Sequence, residues 1–425
     1  MNKLILVFSL LFIFCCSPKS EEQKPIKPRI IVSSDIGGTD PDDFQSMIHL
    51  LMYADLVKIE GLISSPYGNG RKKDFLDMID LYAQDLDLLQ SKSPDFPHPD
   101  SLRSVCKQGA IPGAPYKGFD TATEGSDWII KCALRPSDQA LWVLVWGGLE
   151  DLAQALHDAP EIKEKIKVYW IGGPNKKWSV NAYAYIAKNH PDLWIIEANA
   201  TYRGWFMDSE SPDNLKGKAY YDNYIQDHGA LGKAFKNYYD GNIKMGDSPS
   251  LTYVINGDPN DPMGESWGGS FTPIKYSSRN VFEGNSTIKD TVAAYAALEW
   301  KFKGPELPIP PDSTCFTLKI NNQVWPGYYL GNGSYGVRYS SKKPETGTYL
   351  TTSKIPELDA QKGQYISVTP WPGKADPNDF ILGSNWYSDR LESDLFIEEQ
   401  QGAKTVAKNR EAFLLDWAKR WNWLK

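Results

Sequence analysis

The stretch Ile30-Ile31-Val32-Ser33-Ser34-Asp35-Ile36-Gly37-Gly38-Thr39-Asp40-Pro41-Asp42-Asp43 decides the fold. Its β-branched start reads as a buried strand, and the strand empties into a glycine turn carrying four aspartates. From Phe44 to Tyr53 apolar residues recur at Phe44, Met47, Ile48, Leu51 and Met52, the spacing of one helix face. Asp40 stands where an N-cap belongs, Pro41 suits the first helical position, and Asp42 and Asp43 face the positive end of the helix dipole. Carboxylates are thus gathered at the carboxyl end of a strand, where open α/β sheets place their ligands. Acidic helix capping accounts for Asp40, Asp42 and Asp43 but not for Asp35, which precedes the glycines. Four carboxylates this close repel unless a cation or shared protons relieve them. A hard, oxygen-seeking ion such as calcium (Ca2+) suits an all-carboxylate set better than zinc does.

At 425 residues the chain can bury a large core and accommodate two or three domains. Aromatic residues are plentiful (Trp 15, Tyr 23, Phe 16), which fits either flat, sugar-like ligands or an aromatic core. A net charge of -7 argues against nucleic acid as a partner. Met1 to Cys16 has the form of an export signal, with Lys3 at its start and an apolar run from Leu4 to Phe14 too short to span a bilayer. That run ends in Ile13-Phe14-Cys15-Cys16, which resembles a bacterial lipoprotein cleavage site with Cys16 as the lipidated residue and Cys15 as the fallback. The expected location is therefore the bacterial outer membrane, through a lipid anchor, on its periplasmic or its surface face. Beyond the signal only Cys106, Cys132 and Cys315 remain, an odd count that excludes a full disulfide framework. Cys106 and Cys132 either pair or stay as buried thiols.

From Arg29 onward strand-like and helix-like runs alternate. Val57–Ser65 reads as a second strand followed by the turn Pro66-Tyr67-Gly68-Asn69-Gly70, and a helix passes through Phe75, Met78, Ile79 and Tyr82. Ser91 to Thr123 is rich in Pro, Gly and Ser and reads as an excursion or lid. Leu141–Trp146 and Ile166–Ile171 are further strands, each ending in Gly-Gly, and Leu193–Ile196 is a fifth. This alternation predicts a doubly wound, mostly parallel α/β sheet whose glycine-ended strands mark the ligand face. Met245-Gly246-Asp247-Ser248-Pro249-Ser250 leads into an apolar helix, and Thr291 to Trp300 reads as an alanine-rich helix. Pro305, Pro308, Pro310 and Pro311 suggest a domain boundary. After it, 316–368 alternates as a small β unit and 404–423 closes the chain as an amphipathic helix. The expected organisation is a signal over 1–16, a tether over 17–28, an α/β domain over 29–304 and a β-rich domain with a closing helix over 305–425.

With these residues assembled, the chain resembles the nucleoside-hydrolase-like superfamily, and within it the secreted branch of cellulose-binding, nucleoside-hydrolase-like proteins. The resemblance runs from Arg29 to Trp300, and the branch also carries a β-rich C-terminal part. It implies that Asp35, Gly37, Asp42 and Asp43 correspond to the family's calcium and ribose site, on a turn longer than in the true hydrolases. It further implies that Gly68-Asn69 matches the sugar-touching Gly-Asn turn and that Trp146 offers a backbone carbonyl to calcium. Ile171-Gly172-Gly173 matches the Met-Gly-Gly strand, with Asn181 as its following asparagine. Gly246-Asp247-Ser248-Pro249 matches a His-Asp-Pro signature whose Asp ligates calcium. The histidine that helps the base leave is replaced by Gly246, and an acidic residue expected two positions before Asn181 is Ser179. Trp267, in Trp267-Gly268-Gly269, is either a sugar-stacking platform or a core residue.

The resemblance thus implies a calcium-dependent glycoside hydrolase acting on an N-ribosyl or related bond. Asp35, Asp43, Asp247 and the Trp146 carbonyl would hold the ion, Asp35 would activate water, and Asp42, Asn69, Asn181 and Trp267 would bind the substrate. The alternative is a non-catalytic, lipid-anchored carbohydrate-binding protein of plant-glycan utilisation that keeps an idle calcium site. His49, inside the first helix, reads as structural, and His228 as a minor candidate only. The partners implied are a small sugar or glycan, the membrane through its lipid anchor, and a second copy of the chain in a homodimer.

Overall fold

The computed structural model describes residues 26–65 and 68–425. The export signal, Cys15, Cys16, most of the tether, and Pro66 and Tyr67 lie outside the described residues. In chain order the strands are β1 (Arg29–Ser34), β2 (Lys58–Ser64), β3 (Cys106–Gln108), β4 (Leu141–Val145), β5 (Ile166–Ile171) and β6 (Ile195–Ala198). Then come β7 (Phe271–Pro273), β8 (Tyr276–Ser277), β9 (Arg279–Glu283), β10 (Thr291–Ala293), β11 (Ala297–Lys303) and β12 (Thr314–Ile320). The last six are β13 (Gln323–Gly331), β14 (Ser334–Tyr339), β15 (Glu345–Ser353), β16 (Lys362–Val368), β17 (Phe380–Ile381) and β18 (Trp386–Asp389).

The first sheet has the order β3-β2-β1-β4-β5-β6-β18-β7. It is parallel from β3 through β18, and only β7 at the edge runs antiparallel. Strand order reverses between β1 and β4, so their carboxyl ends open the crevice where doubly wound sheets bind ligands. The doubly wound sheet expected from the alternation is therefore present. Side chains alternate across it with the strand period of two. Ile31, Val143, Val145, Val168 and Trp170 enter one core, whereas Ile30, Val32, Leu144, Tyr169 and Ile196 enter the other.

The second sheet, β10-β16-β15-β12-β13-β14-β11-β9, is mostly antiparallel and shares the first of these cores. It departs from expectation in two places. The alanine-rich segment 291–300 forms strands β10 and β11, not a helix. Every residue from Val292 to Trp300 is buried there, with Tyr295 at φ 67 breaking the chain between the two strands. Helix propensity gives way because the alanines fit a two-sided packing layer and β11 pairs with both β14 and β9. The proline cluster 305–311 consequently falls inside the second sheet, between β11 and β12. The boundary expected at residue 305 is displaced, since this sheet begins at Arg279 and β18 returns to the first. Of the segment 91–123, expected as an excursion or lid, Pro99–Ser104 forms a short helix and Cys106–Gln108 the strand β3, and 109–123 runs on as a loop. The Ala114 carbonyl accepts from the Asn181 amide at 3.0 Å and the Tyr116 carbonyl from Arg338 at 2.6 Å, which ties this loop to both layers.

The closing segment forms helices Lys404–Ala407 and Arg410–Trp421. The latter packs on the back of helix α1 (Asp42–Met52): His49 and Trp417 rings lie 5.1 Å apart, Phe413 stacks on Trp205 at 3.7 Å, and Tyr53 donates to Asp416 at 2.7 Å. Cys106 and Cys132 are unpaired and buried. Among the described residues no helix is long and apolar enough to cross a membrane. Because Trp417 is fully buried between α1 and Tyr220, the Trp417→Ala substitution is expected to cost about 3–5 kcal/mol. Urea denaturation followed by circular dichroism measures this, and a loss under about 1 kcal/mol would show that the terminal helix merely rests on the surface.

Candidate functional site

At the switch point the chain builds a cavity of about 420 Å³. Its floor comes from three loops at strand ends. Asp35 follows β1, Trp146 follows β4, and Asp247 precedes helix Ser248–Ile255, while α1 contributes Asp42 and Asp43 from its first turn. Asp43 and Asp247 are buried, and Asp35 and Asp42 are partly open to the cavity. Oxygens of Asp42, Asp43 and Asp247 lie within 4.8 Å of one another.

Local chemistry holds these groups in place. The Asp35 carbonyl accepts from Gly38 N at 2.8 Å, and Ser34 donates its hydroxyl to Asp43 while accepting from Ile36 N at 3.0 Å. Gly147 is dictated by proximity, since a Cβ there would stand 2.9 Å from Asp35 Oδ1. Gln45 of α1 clamps the segment that delivers Asp247: it donates to the Asn242 carbonyl at 2.8 Å and accepts from Lys244 N at 2.8 Å. Ser250 donates to the Asp247 carbonyl at 2.7 Å and accepts from the Trp146 indole at 2.7 Å. Helix α1 begins one residue later than the sequence suggests. Pro41 occupies the N-cap position, and no side chain caps the helix. Capping therefore does not explain the aspartates.

The electrostatics follow from crowding in a desolvated space. Burial, then the Asp42 charge, pushes the Asp35 carboxyl up to about 8. Burial and mutual repulsion hold Asp42, Asp43 and Asp247 well above the ordinary carboxylate range. Asp247 Oδ2 is buried with no hydrogen-bond partner among the described residues. Hard oxygen donors, close spacing and an orphaned carboxylate oxygen suit a calcium-sized cation.

The set brought together differs from the expected one in detail. Asp35, Asp42, Asp43, Asp247 and Trp146 share the cavity, but the close carboxylate trio contains Asp42, expected as a sugar ligand, and not Asp35. The Trp146 carbonyl accepts from the Asn175 amide at 2.9 Å, which already engages the oxygen expected to face an ion. Gly68 lines the cavity, whereas Asn69 is exposed beyond it. Asn181 is not at the site, because its amide binds the Ala114 carbonyl and its oxygen accepts from Arg338 at 3.3 Å. The asparagine at the mouth is Asn175, directly after the Gly172-Gly173 end of β5, and proximity to that strand end was the available signal. Trp267 is not a stacking platform in this cavity but packs 6.5 Å from Phe413. His49 bonds Ser248 at 3.0 Å with burial pushing its pKa down to about 3, and His228 is buried on backbone carbonyls, so neither histidine serves the cavity.

Sequence reading missed the opposite wall of Lys177, Trp178, Tyr202, Arg203, Lys244, Gln323 and Lys342. The helix Gly173–Trp178, which carries Asn175, Lys177 and Trp178, is anchored by Lys176. Its ammonium is fully buried, 2.7 Å from Glu197 and between the rings of Tyr183 and Trp371 at 3.8 and 3.9 Å. Glu197 also accepts from Tyr183 at 2.8 Å and Trp386 at 3.0 Å, which satisfies a buried charge that would otherwise be costly. A Cβ at Gly246 would lie 3.0 Å from Asp42 Oδ2 and 3.5 Å from the Tyr202 ring, so the space of the missing histidine adjoins both.

The family model for "Cellulose-binding Sde182, nucleoside hydrolase-like domain" matches residues 29–271. The chain belongs to this family. A second model, a domain of unknown function named DUF5060, matches residues 291–354 of the Sde182-like chain, within the second sheet. A nucleoside hydrolase-related hypothetical protein from Saccharophagus degradans, described as associated with carbohydrate metabolism, shares 18% identity. The match covers 80% of this chain and 99% of that one, with a TM-score of 0.48. The inosine-uridine preferring nucleoside hydrolase from Bacillus anthracis shares 14% identity over 81% of this chain and 95% of its own, with a TM-score of 0.36. No curated protein matches the chain.

The raised carboxylates fix the sign of a pH effect. At low pH folded and unfolded chains are both protonated. As pH rises through the ordinary aspartate range the unfolded chain loses protons that the folded cavity retains, so stability falls until the folded groups titrate, near pH 8 for Asp35. A cation binds the deprotonated form and relieves this loss. In chelator the melting temperature is therefore expected to fall between about pH 5 and about pH 8, with the increment from added calcium growing over the same window. Differential scanning fluorimetry checks both trends, and a calcium increment that is absent or independent of pH counts against a cation site here.

Proposed function

We propose that this Sde182-like protein is a calcium-dependent glycoside hydrolase acting on a carbohydrate substrate. The observation that carries this reading is the cluster of Asp42, Asp43 and Asp247 beside Asp35 at the switch point, with one buried carboxylate oxygen left unpartnered. Family membership and its description as cellulose-binding support a carbohydrate as the ligand class. Asp42, Asp43 and Asp247 would hold the ion. When bound, calcium would offset the crowded carboxylates and acidify water in the cavity.

The chain's own groups then divide the work. Burial and then the Asp42 charge raise the Asp35 carboxyl in the ion-free cavity, and a cation that offsets those charges would leave Asp35 deprotonated and able to accept a water proton. The water oxygen bonds to the anomeric carbon as the glycosidic bond breaks, through an oxocarbenium-like transition state; its proton goes to Asp35, and the departing aglycone keeps the electron pair of the broken bond and takes a proton from solvent. Asn175 fixes the loop after β5 through the Trp146 and Ile171 carbonyls, at 2.9 and 3.0 Å. A second reading, a carbohydrate-binding protein without turnover, is favoured by one observation: Gly246 supplies no acid to a departing group.

Sugar release from nucleosides and plant-type oligosaccharides, with calcium and with chelator, tests the two readings. Calcium-dependent release is expected, and Asp35→Asn should lower turnover by about 10²–10⁴-fold with little change in binding. Unchanged turnover in that variant removes Asp35 as the base, and saturable binding without release by the unaltered chain selects the second reading. The lipid anchor belongs to the same proposal, since a tethered protein meets polymeric glycans outside the cell. Cys16→Ala is expected to move the protein from the membrane to the soluble fraction of a producing bacterium, and unchanged partition would remove the anchor.

A further inference from the structure

The cavity has two walls of opposite charge. Facing the aspartates, its mouth presents Lys177, Arg203, Lys244 and Lys342. Among the described residues, none of these four makes an ion pair with a carboxylate within 4.0 Å. Several other buried or half-buried cations among the described residues are paired with carboxylates: Lys176 on Glu197, Arg279 and Arg338 on Glu299, Arg420 on Asp55.

Lys177, Arg203 and Lys244 lie against neutral side chains and rings. Lys177 Nζ donates to Gln323 Oε1 at 2.6 Å and stands 4.6 Å from the Trp178 ring centre. Burial, then the Lys342 charge, lowers the Lys177 pKa to about 8, with the Glu345 charge acting the other way. Arg203 keeps a buried Nε without a hydrogen-bond partner among the described residues, with its guanidinium 5.3 Å from the Tyr202 ring. Lys244 sits 5.6 Å from the Phe206 ring and partly offsets Asp42. Gln323 and Lys342 come from the second sheet, one opening β13 and the other following β14. The two layers therefore build the mouth jointly.

We propose that the cavity takes an acidic glycan, a sugar carrying a carboxylate or a sulfate ester, with the anionic group seated between Lys177, Lys342 and Arg203. The sugar ring then lies toward the aspartates, with the exposed indole of Trp178 as an apolar face beside it. A volume of about 420 Å³ falls within the range of small-molecule sites. Arginine and paired lysines bind carboxylate and sulfate oxygens by charge-assisted hydrogen bonds. This inference rests on the carbohydrate reading of the cavity and not on turnover.

Calorimetric titration of the purified protein tests it with three probes of equal length: a uronic-acid oligosaccharide, a sulfated oligosaccharide and an uncharged cello-oligosaccharide. At least one anionic probe is expected to bind roughly tenfold more tightly than the uncharged one, a preference that shrinks as salt is raised. The stronger anionic arm identifies carboxylate or sulfate. Lys342→Glu, at an exposed position, is expected to bring the anionic-to-neutral ratio toward one at an unchanged melting temperature, whereas Lys342→Arg retains it. Equal binding of all probes, binding of none, a preference for the neutral probe, or an unaffected ratio in Lys342→Glu overturns the proposal. Loss of turnover in Asp35→Asn without any charge preference would leave hydrolysis standing and remove the acidic glycan; charge preference without turnover would do the reverse.

Discussion

Mutual repulsion among four aspartates at the end of a parallel sheet is the constraint around which this molecule is arranged. Asp35 and Asp247 from two loops and Asp42 and Asp43 from the first turn of α1 meet in one partly desolvated cavity, and their carboxyl groups all hold protons more tightly than they would in water. Such an arrangement stores unfavourable charge energy that only protons or a cation can release. A fold under no functional demand has no reason to keep it. The surrounding polar contacts, from the Ser34 hydroxyl to the Gln45 amide, are those needed to prevent the carboxylates from moving apart.

That restraint is distributed well beyond the site. Gln45 and His49 lie on the same helix as Asp42 and Asp43, and they grip the segment carrying Asp247. Behind that helix the terminal helix sets Trp417 against His49 in its last turn and Phe413 against Trp205. On the other flank the buried Lys176–Glu197 pair ties helix Gly173–Trp178 to β6 and β18. Removing one partner of such a pair leaves an uncompensated buried charge, which makes the pair a strong determinant of where the helix sits. The cavity is rigid because elements distant in sequence meet behind it.

The second sheet participates directly. It shares a core with one face of the first sheet and supplies Gln323 and Lys342 to the mouth. The first sheet therefore provides the acidic floor, and the two layers together provide the basic rim. The space beside Gly246 adjoins both Asp42 and the Tyr202 ring.

By itself the sequence determined the parallel sheet, the glycine-ended strands and the acidic turn, since each is written in local periodicity and in residues adjacent along the chain. Asp35, Asp42 and Asp43 were legible for that reason, whereas Asp247 and Trp146 were named through the family resemblance. Tertiary structure alone decided which of them cluster, that Asn175 and not Asn181 reaches the mouth, and that Trp267 packs against the terminal helix. It also decided that the alanines of 291–300 lie in strands, because two-sided burial between paired strands outweighs a helix preference of less than about 1 kcal/mol per residue. The basic wall was invisible for a related reason. Lys177, Arg203, Lys244 and Lys342 are scattered and unpatterned along the chain, and only the meeting of two sheets makes them one surface.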